Sequence, residues 1–455
     1  MPTFPSLIRD TAIATIHPMP KLQISRRRIL RGAAAAGALA ATAPAVRASR
    51  VQESKLRLAA VGSANRGAAN IAGVLGEDLA YLCDVDARHL ARGVEQVKAG
   101  GGPVPATFVD WREMLATVED LDGVVVSTPD HTHAAIARAA LRRGLPVYCE
   151  KPLTRTIGEA RQLRALAAEA GVPTQMGTQI HARSNYRRVV EAIRAGLIGE
   201  VHTVKVACSK SWSRGRRAAT KPVPEGLAWD LWLGPAAARD YHDGLHPAGW
   251  RRFWDYGNGT VGDMACHWVD LVHWALDLGV PRTVEVEGPP YAPESPGTDG
   301  SSPEVEGTPA WMHVRWGHAA TPQRRAVDVH WYDGGRRPED VPLPDCHVFI
   351  GARGRIVSTY DTMSVELDDP AAEWVQPEPS IPESPGHHVE WLDAIKGEGP
   401  APLCEFGYGT RLTETVLLAC LAYRSGGKIT WDAEEGVASA GQELVSQPER
   451  EGWDV

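Results

Sequence analysis

Short apolar runs alternate with helix-like stretches over residues 56–177 of the chain. The runs are brief and continuous, whereas the stretches between them repeat apolar residues at helical spacing. Continuous apolar strands joined by helices are typical of parallel sheets that are buried on both faces. The pattern therefore predicts an N-terminal α/β domain. In chain order, its strands and helices are predicted at 56–61, 68–75, 79–83, 121–127, 134–143, 146–149, 154–170 and 173–177.

The alternation stops after Gly177. A long stretch at 210–259 is irregular and dense in Trp, Pro and Gly, and residues 290–307 have the composition of an exposed loop. The remaining pattern predicts an α+β domain with a mostly antiparallel open sheet and helices to one side. We place the two domains at 52–175 and 176–455. Strands of the second domain are predicted at 199–207, 283–287, 310–316, 327–331 and 347–350, and helices at 184–195, 388–396 and 412–423.

Residues 1–48 have the features of an export signal. Ser25-Arg26-Arg27-Arg28-Ile29-Leu30-Arg31 is a twin-arginine pattern, and an Ala-rich apolar stretch and small residues follow it. The apolar stretch is about 12 residues long, below the roughly 20 that a membrane anchor requires. We expect the folded protein to be exported to the periplasm or another extracytoplasmic location without a membrane anchor. A disordered basic tail is the alternative.

Composition and charge narrow the class of protein further. The chain has 455 residues, of which 43% are hydrophobic and 23% charged, and this suits a globular protein of two domains. Its formal net charge is −8, although the first 48 residues are basic, so the rest of the chain is distinctly acidic. An acidic body argues against nucleic acid as the main partner. The seven cysteines form no Cys-x-x-Cys pair, and we expect them to be mostly reduced and buried.

A glycine-containing turn follows the first predicted strand. The order of strand, turn, helix, second strand and terminal acid is the one that dinucleotide binding requires. Asp84 lies 22 residues after Gly62, where a carboxylate can bind a ribose diol and repel a 2′-phosphate, so NAD is favoured over NADP. Ala64 replaces the usual middle glycine, and a plain turn is the alternative. The predicted cofactor-binding residues of this Rossmann domain are Gly62, Ser63, Asn65, Arg66, Gly67 and Asp84.

Polar residues also follow the later strands of the first domain. Ligands bind at the carboxyl ends of strands in open α/β sheets, so these residues are further candidates for the cofactor site. For His133, a histidine that only satisfies the start of a helix is an alternative of similar weight. The candidates are Thr128, Pro129, His133, Glu150, Lys151 and Gln179.

In the second domain, Asp263 and His267 are four residues apart on a predicted helix and share one face. Asp270 lies near that face, so a metal site formed by the three is an alternative, although no further ligand pair is evident and we predict no metal. A structural hydrogen bond along the helix is a second alternative. Histidine and lysine are suitable bases for the removal of a hydroxyl proton.

Taken together, these motifs resemble the Gfo/Idh/MocA family of oxidoreductases (glucose–fructose oxidoreductase, inositol dehydrogenase and rhizopine-catabolism proteins), over roughly residues 55–430. The resemblance implies that Lys151, Asp263 and His267 are catalytic. We interpret His267 as the main acid/base, Lys151 as its partner near the substrate oxygen and Asp263 as the group that orients them, although Lys151 and His267 could exchange roles. The matching segments are 61–67, 83–86, 127–133, 150–152, 175–179 and 262–267.

Seven of the 15 tryptophans lie between residues 212 and 274. Aromatic faces suit the apolar faces of sugar rings, although most of these tryptophans are expected to serve packing. Further candidates for substrate binding are Arg183, Tyr186, Trp212 and Tyr241.

Three functions are compatible with these features. The leading hypothesis is an exported NAD-dependent oxidoreductase acting on a sugar, glycoside, inositol or related polyol. The second is a redox-neutral glycosidase or lyase that oxidises a sugar carbon transiently and reduces it again with the same NAD, as in the NAD-dependent α-N-acetylgalactosaminidases that the family includes. The third is a non-enzymatic sugar- or nucleotide-binding protein. The open sheet of the second domain offers a face for self-association, so a homo-oligomer is a further expectation.

Overall fold

The computed structural model describes residues 55–215, 218–291 and 307–453. The predicted export signal at 1–48 and most of the predicted loop at 290–307 lie outside the described residues. The two predicted fold classes are both present: a parallel sheet with flanking helices comes first, and a larger, mostly antiparallel sheet follows it.

The first sheet contains six parallel strands. They are β1 Arg57–Val61, β2 Asp78–Cys83, β3 Ala106–Phe108, β4 Gly123–Val126, β5 Val147–Cys149 and β6 Thr174–Met176. The helices between them are α1 Arg66–Val74, α2 Ala87–Ala99, α3 Trp111–Thr117, α4 Asp130–Arg142 and α5 Ile157–Ala170. The spatial order is β3-β2-β1-β4-β5-β6, so the chain reverses direction across the sheet between β1 and β4. Such a reversal opens a crevice at the carboxyl ends of these two strands.

The second sheet contains nine strands in the order β13-β12-β11-β7-β10-β9-β8-β14-β15. They are β7 Val201–Ala207, β8 Thr283–Glu287, β9 His313–His318, β10 Val327–Tyr332, β11 Cys346–Gly351, β12 Gly354–Ser358, β13 Met363–Leu367, β14 Lys428–Asp432 and β15 Val437–Ala438. All neighbours are antiparallel except β7 and β10. The α-helices of this half are α6 Ser184–Arg194, α7 Trp229–Leu233, α8 Gly259–Leu276, α9 His387–Lys396 and α10 Phe406–Arg424, and short 3-10 helices cover Gln179–Ala182, Gly249–Arg252 and Gln442–Leu444.

Helix α8 lies at the centre of the second half and is buried on almost every side. It packs against α6, α10 and β7, and α10 in turn packs against α5 of the first half. This continuous helical layer explains why α8 is so apolar around its circumference. Its few polar side chains are therefore placed in a buried environment, where each needs a specific partner.

The C-terminal part of the chain also completes the first half. Helix α9 packs against α1, and the fully buried Trp391 lies over Gly123 and donates to the carbonyl oxygen of Pro173 at 3.2 Å. The Trp453 ring lies 6.4 Å from the Trp111 ring. The predicted division at 175/176 falls within β6, the last strand of the first sheet, and side chains from beyond this point contribute to packing around both sheets.

Two further properties concern the described residues as a whole. All seven cysteines are buried and unpaired with one another, as expected from their scattered positions. None of the helices in the described segments has the length and apolar character needed to cross a membrane.

Candidate active site

The turn after β1 is built for close approach of a ligand to the backbone. Gly62 has a φ of 86°, and a Cβ there would lie 2.7 Å from the carbonyl oxygen of Ser127. At Gly67, a Cβ would lie 2.2 Å from the carbonyl oxygen of Gly62. Both positions therefore need glycine, which lets α1 start immediately against the strand. The amide end of α1 faces a cavity of about 860 Å³ and is suited to an anionic group such as a pyrophosphate.

Asp84 is held rigidly at the end of β2. Its Oδ2 accepts hydrogen bonds from the backbone amide and hydroxyl of Ser63 at 2.8 and 2.9 Å, and its Oδ1 accepts from the amide of Asp86 at 3.0 Å. Asp84 and Ser63 both line the cavity. The fixed carboxylate can accept from a ribose diol through its remaining lone pairs.

The residues that follow the carboxyl end of β4 form another part of the cavity wall. Thr128, Pro129 and His133 all line the cavity. The two ring nitrogens of His133 lie 2.8 Å from the carbonyl oxygen of Pro152 and 2.7 Å from that of Thr128, while burial lowers its pKa to about 4. A neutral imidazole carries a single N–H, so the ring donates to one of these two carbonyl oxygens and packs between the segments after β4 and β5. Such a structural role was the alternative to cofactor binding that the sequence left open for His133.

Glu150 and Gln179 form part of a hydrogen-bonded network beneath the cavity. The Oε1 atom of Glu150 accepts from Asn70 at 2.9 Å and from Gln179 at 2.7 Å, and Gln179 also donates to the hydroxyl of Tyr148 at 2.8 Å. Burial raises the pKa of Glu150. These contacts fix the segment that ends in Lys151. Glu150 therefore positions Lys151 and also lines the cavity.

Lys151 and Asp263 meet across the two halves of the protein. The Nζ atom of Lys151 donates to Oδ1 of Asp263 at 2.7 Å and to its carbonyl oxygen at 2.6 Å. Arg251 donates to the same Oδ1 from its Nε atom at 3.0 Å. Burial opposes ionisation of Asp263, but the two cations outweigh it and hold the pKa of this carboxyl well below its usual range. Asp263 is therefore an anion that fixes the ammonium of Lys151.

His267 lies one turn after Asp263 on α8 and lines the same cavity. Its Nδ1 atom is buried, and among the described residues it has no hydrogen-bond partner. Burial and the charge of Lys151 hold the pKa of His267 well below its usual range, so the imidazole is neutral. A neutral ring with a free nitrogen beside a fixed ammonium can receive a proton from a bound hydroxyl.

Two ionisable residues at this end of the cavity, Arg251 and Asp130, were not singled out from the sequence. Arg251 lies over the ring of Trp250 at 4.2 Å, and its position in the Trp-rich stretch before Asp263 is the signal that could have found it. Asp130 begins α4 and is buried in the cavity wall, where burial raises its pKa to about 8. A carboxylic acid directly after the Thr128-Pro129 pair was visible in the sequence, but its burial was not.

The predicted substrate residues divide into two groups. Arg183 and Trp212 line the cavity. Arg183 pairs with Asp361, and the Nε1 atom of Trp212 is buried without a partner among the described residues. Tyr360 also lines the cavity, and its hydroxyl is likewise buried without a partner among the described residues. This residue was not identified from the sequence.

Tyr186 and Tyr241 lie outside the cavity lining, which corrects their prediction as substrate residues. Tyr186 is fully buried, and its hydroxyl donates to the carbonyl oxygen of His267 at 2.9 Å. Tyr241 packs edge-on against Trp229 with its ring centre 5.1 Å away. Both rings bury apolar area, and both hydroxyls have protein partners, which is the usual arrangement for a buried tyrosine.

The alternative metal set of Asp263, His267 and Asp270 does not come together. The carboxylate of Asp270 accepts from His181 at 2.9 Å and from the hydroxyl of Tyr408 at 2.6 Å, and it is fully buried outside the cavity lining. Asp270 thus belongs to the packing around α8, whereas Asp263 and His267 face the cavity.

Comparisons with known proteins agree with this arrangement. Residues 56–178 match the oxidoreductase-family model for an NAD-binding Rossmann fold, and residues 184–299 match that for the family's C-terminal alpha/beta domain. Together the two matches cover slightly more than half of the chain.

Individual relatives match over shorter segments. A 1,5-anhydro-D-fructose reductase from Ensifer adhaerens is 30% identical over 168 residues, which are 36% of this chain and 40% of that protein. A glycosyl hydrolase family 109 protein from Stenotrophomonas maltophilia is 28% identical over 150 residues, 31% of this chain and 33% of that protein. The chain thus spans about a third of the length of these curated relatives.

Among solved structures, the fold is similar to that of the WlbA dehydrogenase from Chromobacterium violaceum in complex with NADH and UDP-GlcNAcA. The TM-score is 0.58 at 19% identity, with 84% of this chain and 97% of that chain covered. At this level of identity the likeness concerns the fold.

Proposed function

Because the chain belongs to the Gfo/Idh/MocA oxidoreductase family, we propose that it is an NAD-dependent enzyme that oxidises a hydroxyl-bearing carbon of a sugar, glycoside, inositol or related polyol. The observation that supports this most directly is the meeting of Lys151, Asp263 and His267 at one end of a cavity whose other walls carry the glycine turn and Asp84. Bound NAD supplies the hydride acceptor.

In this reaction the side chains of the protein remove the proton of the substrate hydroxyl. As the substrate carbon gives up its hydride, the proton of its hydroxyl passes to the neutral His267, and the C–O bond becomes a carbonyl. Lys151, held by Asp263, donates a hydrogen bond to the oxygen and stabilises the negative charge that develops on it. Since the imidazole is protonated only after the transfer, it must return this proton to solvent before the next turnover.

The cavity also carries groups suited to a polyol. Arg183, Trp212 and Tyr360 line the cavity and carry polar atoms, and Trp212 and Tyr360 also contribute aromatic rings. A sugar ring presents hydroxyls at its edge and C–H groups on its faces, so both kinds of contact are needed. Within the proposed substrate class, these side chains are our candidates for discriminating among sugars.

Purified protein loaded with NAD and exposed to a panel of sugars, glycosides and inositols tests the proposal. We expect reduced-nicotinamide absorbance to rise with at least one member of the panel in the wild type. Lys151→Ala should lose this response while retaining NAD. A wild type that binds no dinucleotide would contradict the proposal, and so would a Lys151→Ala variant with unchanged activity.

A redox-neutral cleavage of glycosides is the second candidate, favoured by the match to a glycosyl hydrolase family 109 protein. In this reaction, transient oxidation acidifies the neighbouring carbon, elimination expels the aglycone, and the hydride returns to the product. Release of an aglycone from a chromogenic glycoside without accumulation of NADH would support it. Stoichiometric NADH with an intact glycosidic bond would support net oxidation instead.

We also propose that residues 1–48 direct export by the twin-arginine route. The supporting observation is the pattern Ser25–Arg31 followed by an apolar stretch and small residues. Replacing Arg26 and Arg27 together by lysine should abolish extracytoplasmic accumulation, with Arg47→Lys as a matched control. Export of the double variant at the wild-type level would contradict this route.

A further inference from the structure

Residues 226–256 fold around a small hydrophobic core of their own. Trp229 and Trp232 stack with ring centres 4.6 Å apart, and the helix α7 that carries them is only five residues long. Val85, which follows β2, packs against this core as a partly buried neighbour. The segment is therefore held by its own side chains together with His131 of the first half, whose Nε2 atom lies 2.9 Å from the carbonyl oxygen of Trp232. Its buried core residues are Leu227, Trp229, Trp232, Leu233, Ala236, Tyr241, Leu245, Trp250, Phe253 and Tyr256.

The segment is attached to the first half by backbone hydrogen bonds immediately after Asp84. The amide of Ala228 donates to the carbonyl oxygen of Val85 at 2.8 Å, and the amide of Ala87 donates to that of Gly226 at 2.9 Å. These bonds form an isolated antiparallel bridge between Asp86 and Leu227. These hydrogen bonds thus connect the loop that carries Asp84, the proposed ribose-binding residue, directly to the second half.

A side-chain contact reinforces this attachment. The Nε2 atom of His246 lies 3.0 Å from Oδ2 of the fully buried Asp86, and its ring centre lies 5.3 Å from that of His89. Asp86 is also held by Arg88, whose guanidinium donates to both carboxylate oxygens at 3.0 and 2.7 Å. The contact between Asp86 and His246 therefore joins the loop after β2 to residues 226–256.

Both sides of this junction line the proposed cofactor cavity. Asp84 and His89 contribute from the first half, and Trp232, His246 and Pro247 contribute from residues 226–256. A dinucleotide whose ribose is bound by Asp84 would therefore be flanked by both halves at its adenosine end. The dinucleotide would dissociate most easily when the two halves separate at the bridge between Asp86 and Leu227.

We propose that residues 226–256 form a clamp that retains NAD on the protein between turnovers, with the Asp86–His246 pair and the bridge at Leu227 as its closure. The inference rests on the proposed function, because it requires that NAD occupies this cavity. The clamp adds a slow dissociation step to that function. It assigns His246 and Ala228 to cofactor retention, which is separate from the proton transfer assigned to Lys151, Asp263 and His267.

Two substitutions weaken the closure without touching the proposed catalytic residues. His246→Ala removes the contact to Asp86. Ala228→Pro removes the amide that donates to Val85, and the φ of −78° at Ala228 is compatible with proline. His330→Ala is the matched control, because His330 is a partly buried histidine on β10 outside the cavity lining.

The experiment follows release of NAD from loaded full-length protein after transfer into nucleotide-free buffer, with bound nucleotide measured by chromatography after acid denaturation. We expect the Ala228→Pro/His246→Ala double variant to release NAD at least tenfold faster than the wild type. His246→Ala alone should accelerate release several-fold, and it keeps the test valid if the double variant does not fold. The His330→Ala control should release NAD at the wild-type rate.

Equal release rates in the wild type and His246→Ala would overturn the clamp, as would a wild type that loses its NAD as soon as free nucleotide is removed. Acceleration by His330→Ala to the same extent would also overturn it, because general destabilisation would then explain the effect. A wild type that never takes up NAD would overturn the proposed function together with the clamp. Uptake followed by rapid loss would overturn only the clamp.

Discussion

At the scale of single residues, several histidines in the described part of the chain have a buried ring nitrogen without a partner, and His267 combines this feature with a position on the cavity lining one turn after Asp263. His133, which lines the same cavity, differs from His267 because both of its ring nitrogens lie within 2.8 Å of carbonyl oxygens. A buried polar atom without a partner is costly unless a ligand satisfies it. The free Nδ1 of His267 is therefore the atom that we expect to face the substrate hydroxyl.

Replacement of this imidazole tests its role. General acid–base catalysis contributes about 100-fold to 10,000-fold, so we expect His267→Gln to lower the turnover number by about 100-fold or more while NAD affinity stays unchanged. Single-turnover reduction of bound NAD and a separate NAD titration provide the two readouts. Met264→Leu, which alters the adjacent cavity wall without removing a base, is the control. A His267→Gln enzyme with nearly full turnover would exclude the assignment.

Asp130 makes a prediction about pH. Burial raises its pKa to about 8 in the folded protein, whereas an unfolded aspartate ionises near pH 4. The folded state therefore holds this proton more tightly, and the contribution of Asp130 to stability is lost as the pH rises through this interval. We expect Asp130→Asn to become more stable relative to the wild type as pH is raised from about 5 to about 8, measured by denaturant unfolding.

A surface acid provides the comparison for Asp130. Asp328 on β10 is partly exposed and pairs with Arg315 at 2.9 Å, so Asp328→Asn is the matched control for exchanging an aspartate for asparagine outside the cavity. A stability difference for Asp130→Asn that is flat across the interval would show that Asp130 ionises normally in the folded protein.

At the scale of secondary structure, the start of α1 depends on two glycines that allow the helix to approach the strand. We expect Gly67→Ala to raise the dissociation constant for NAD at least tenfold, because its Cβ would lie 2.2 Å from the carbonyl oxygen of Gly62 and displace the helix start. Gly76→Ala is a matched control just beyond the same helix, since a Cβ there meets nothing within 4 Å. Calorimetric titration with NAD measures both. Equal affinities for the two variants would argue against cofactor binding at this turn.

The elements that could be predicted from sequence are those with strong local patterns. Buried strands such as β1 and β4 are continuous apolar runs, and α8 carries its acid and histidine at helical spacing. Helix α2 was not predicted, because it is largely polar and buries only Gly93 and Val97. Strand β3 was not predicted either, since it has only three residues and none of them is fully buried.

The site was predictable in part for a related reason. Lys151, Asp263 and His267 lie in local motifs that resemble those of the family, so the resemblance indicated their chemistry before any contact was known. Arg251 and Tyr360 lie in irregular segments, and their approach to the cavity depends on tertiary packing. Tyr186 was misassigned because its sequence neighbourhood does not reveal that its hydroxyl points to the backbone of α8.

At the scale of the whole molecule, the proposed reaction depends on contacts between the two halves. Lys151 comes from the end of β5 and Asp263 from α8, and they are 112 positions apart in the chain. The clamp and α9 add further connections between the parallel sheet and the C-terminal half. Self-association through the outer face of the nine-stranded sheet remains a prediction, for which size-exclusion chromatography with light scattering is the measurement.

The central claim is that one cavity holds NAD with its nicotinamide beside Lys151, Asp263 and His267. A crystal structure of the protein loaded with NAD tests this most directly. We predict that the pyrophosphate lies at the amide end of α1, the adenosine ribose at Asp84, and the nicotinamide ring within contact of Lys151 and His267. A dinucleotide bound in the reverse direction, or one whose nicotinamide lies away from these two side chains, would contradict the account.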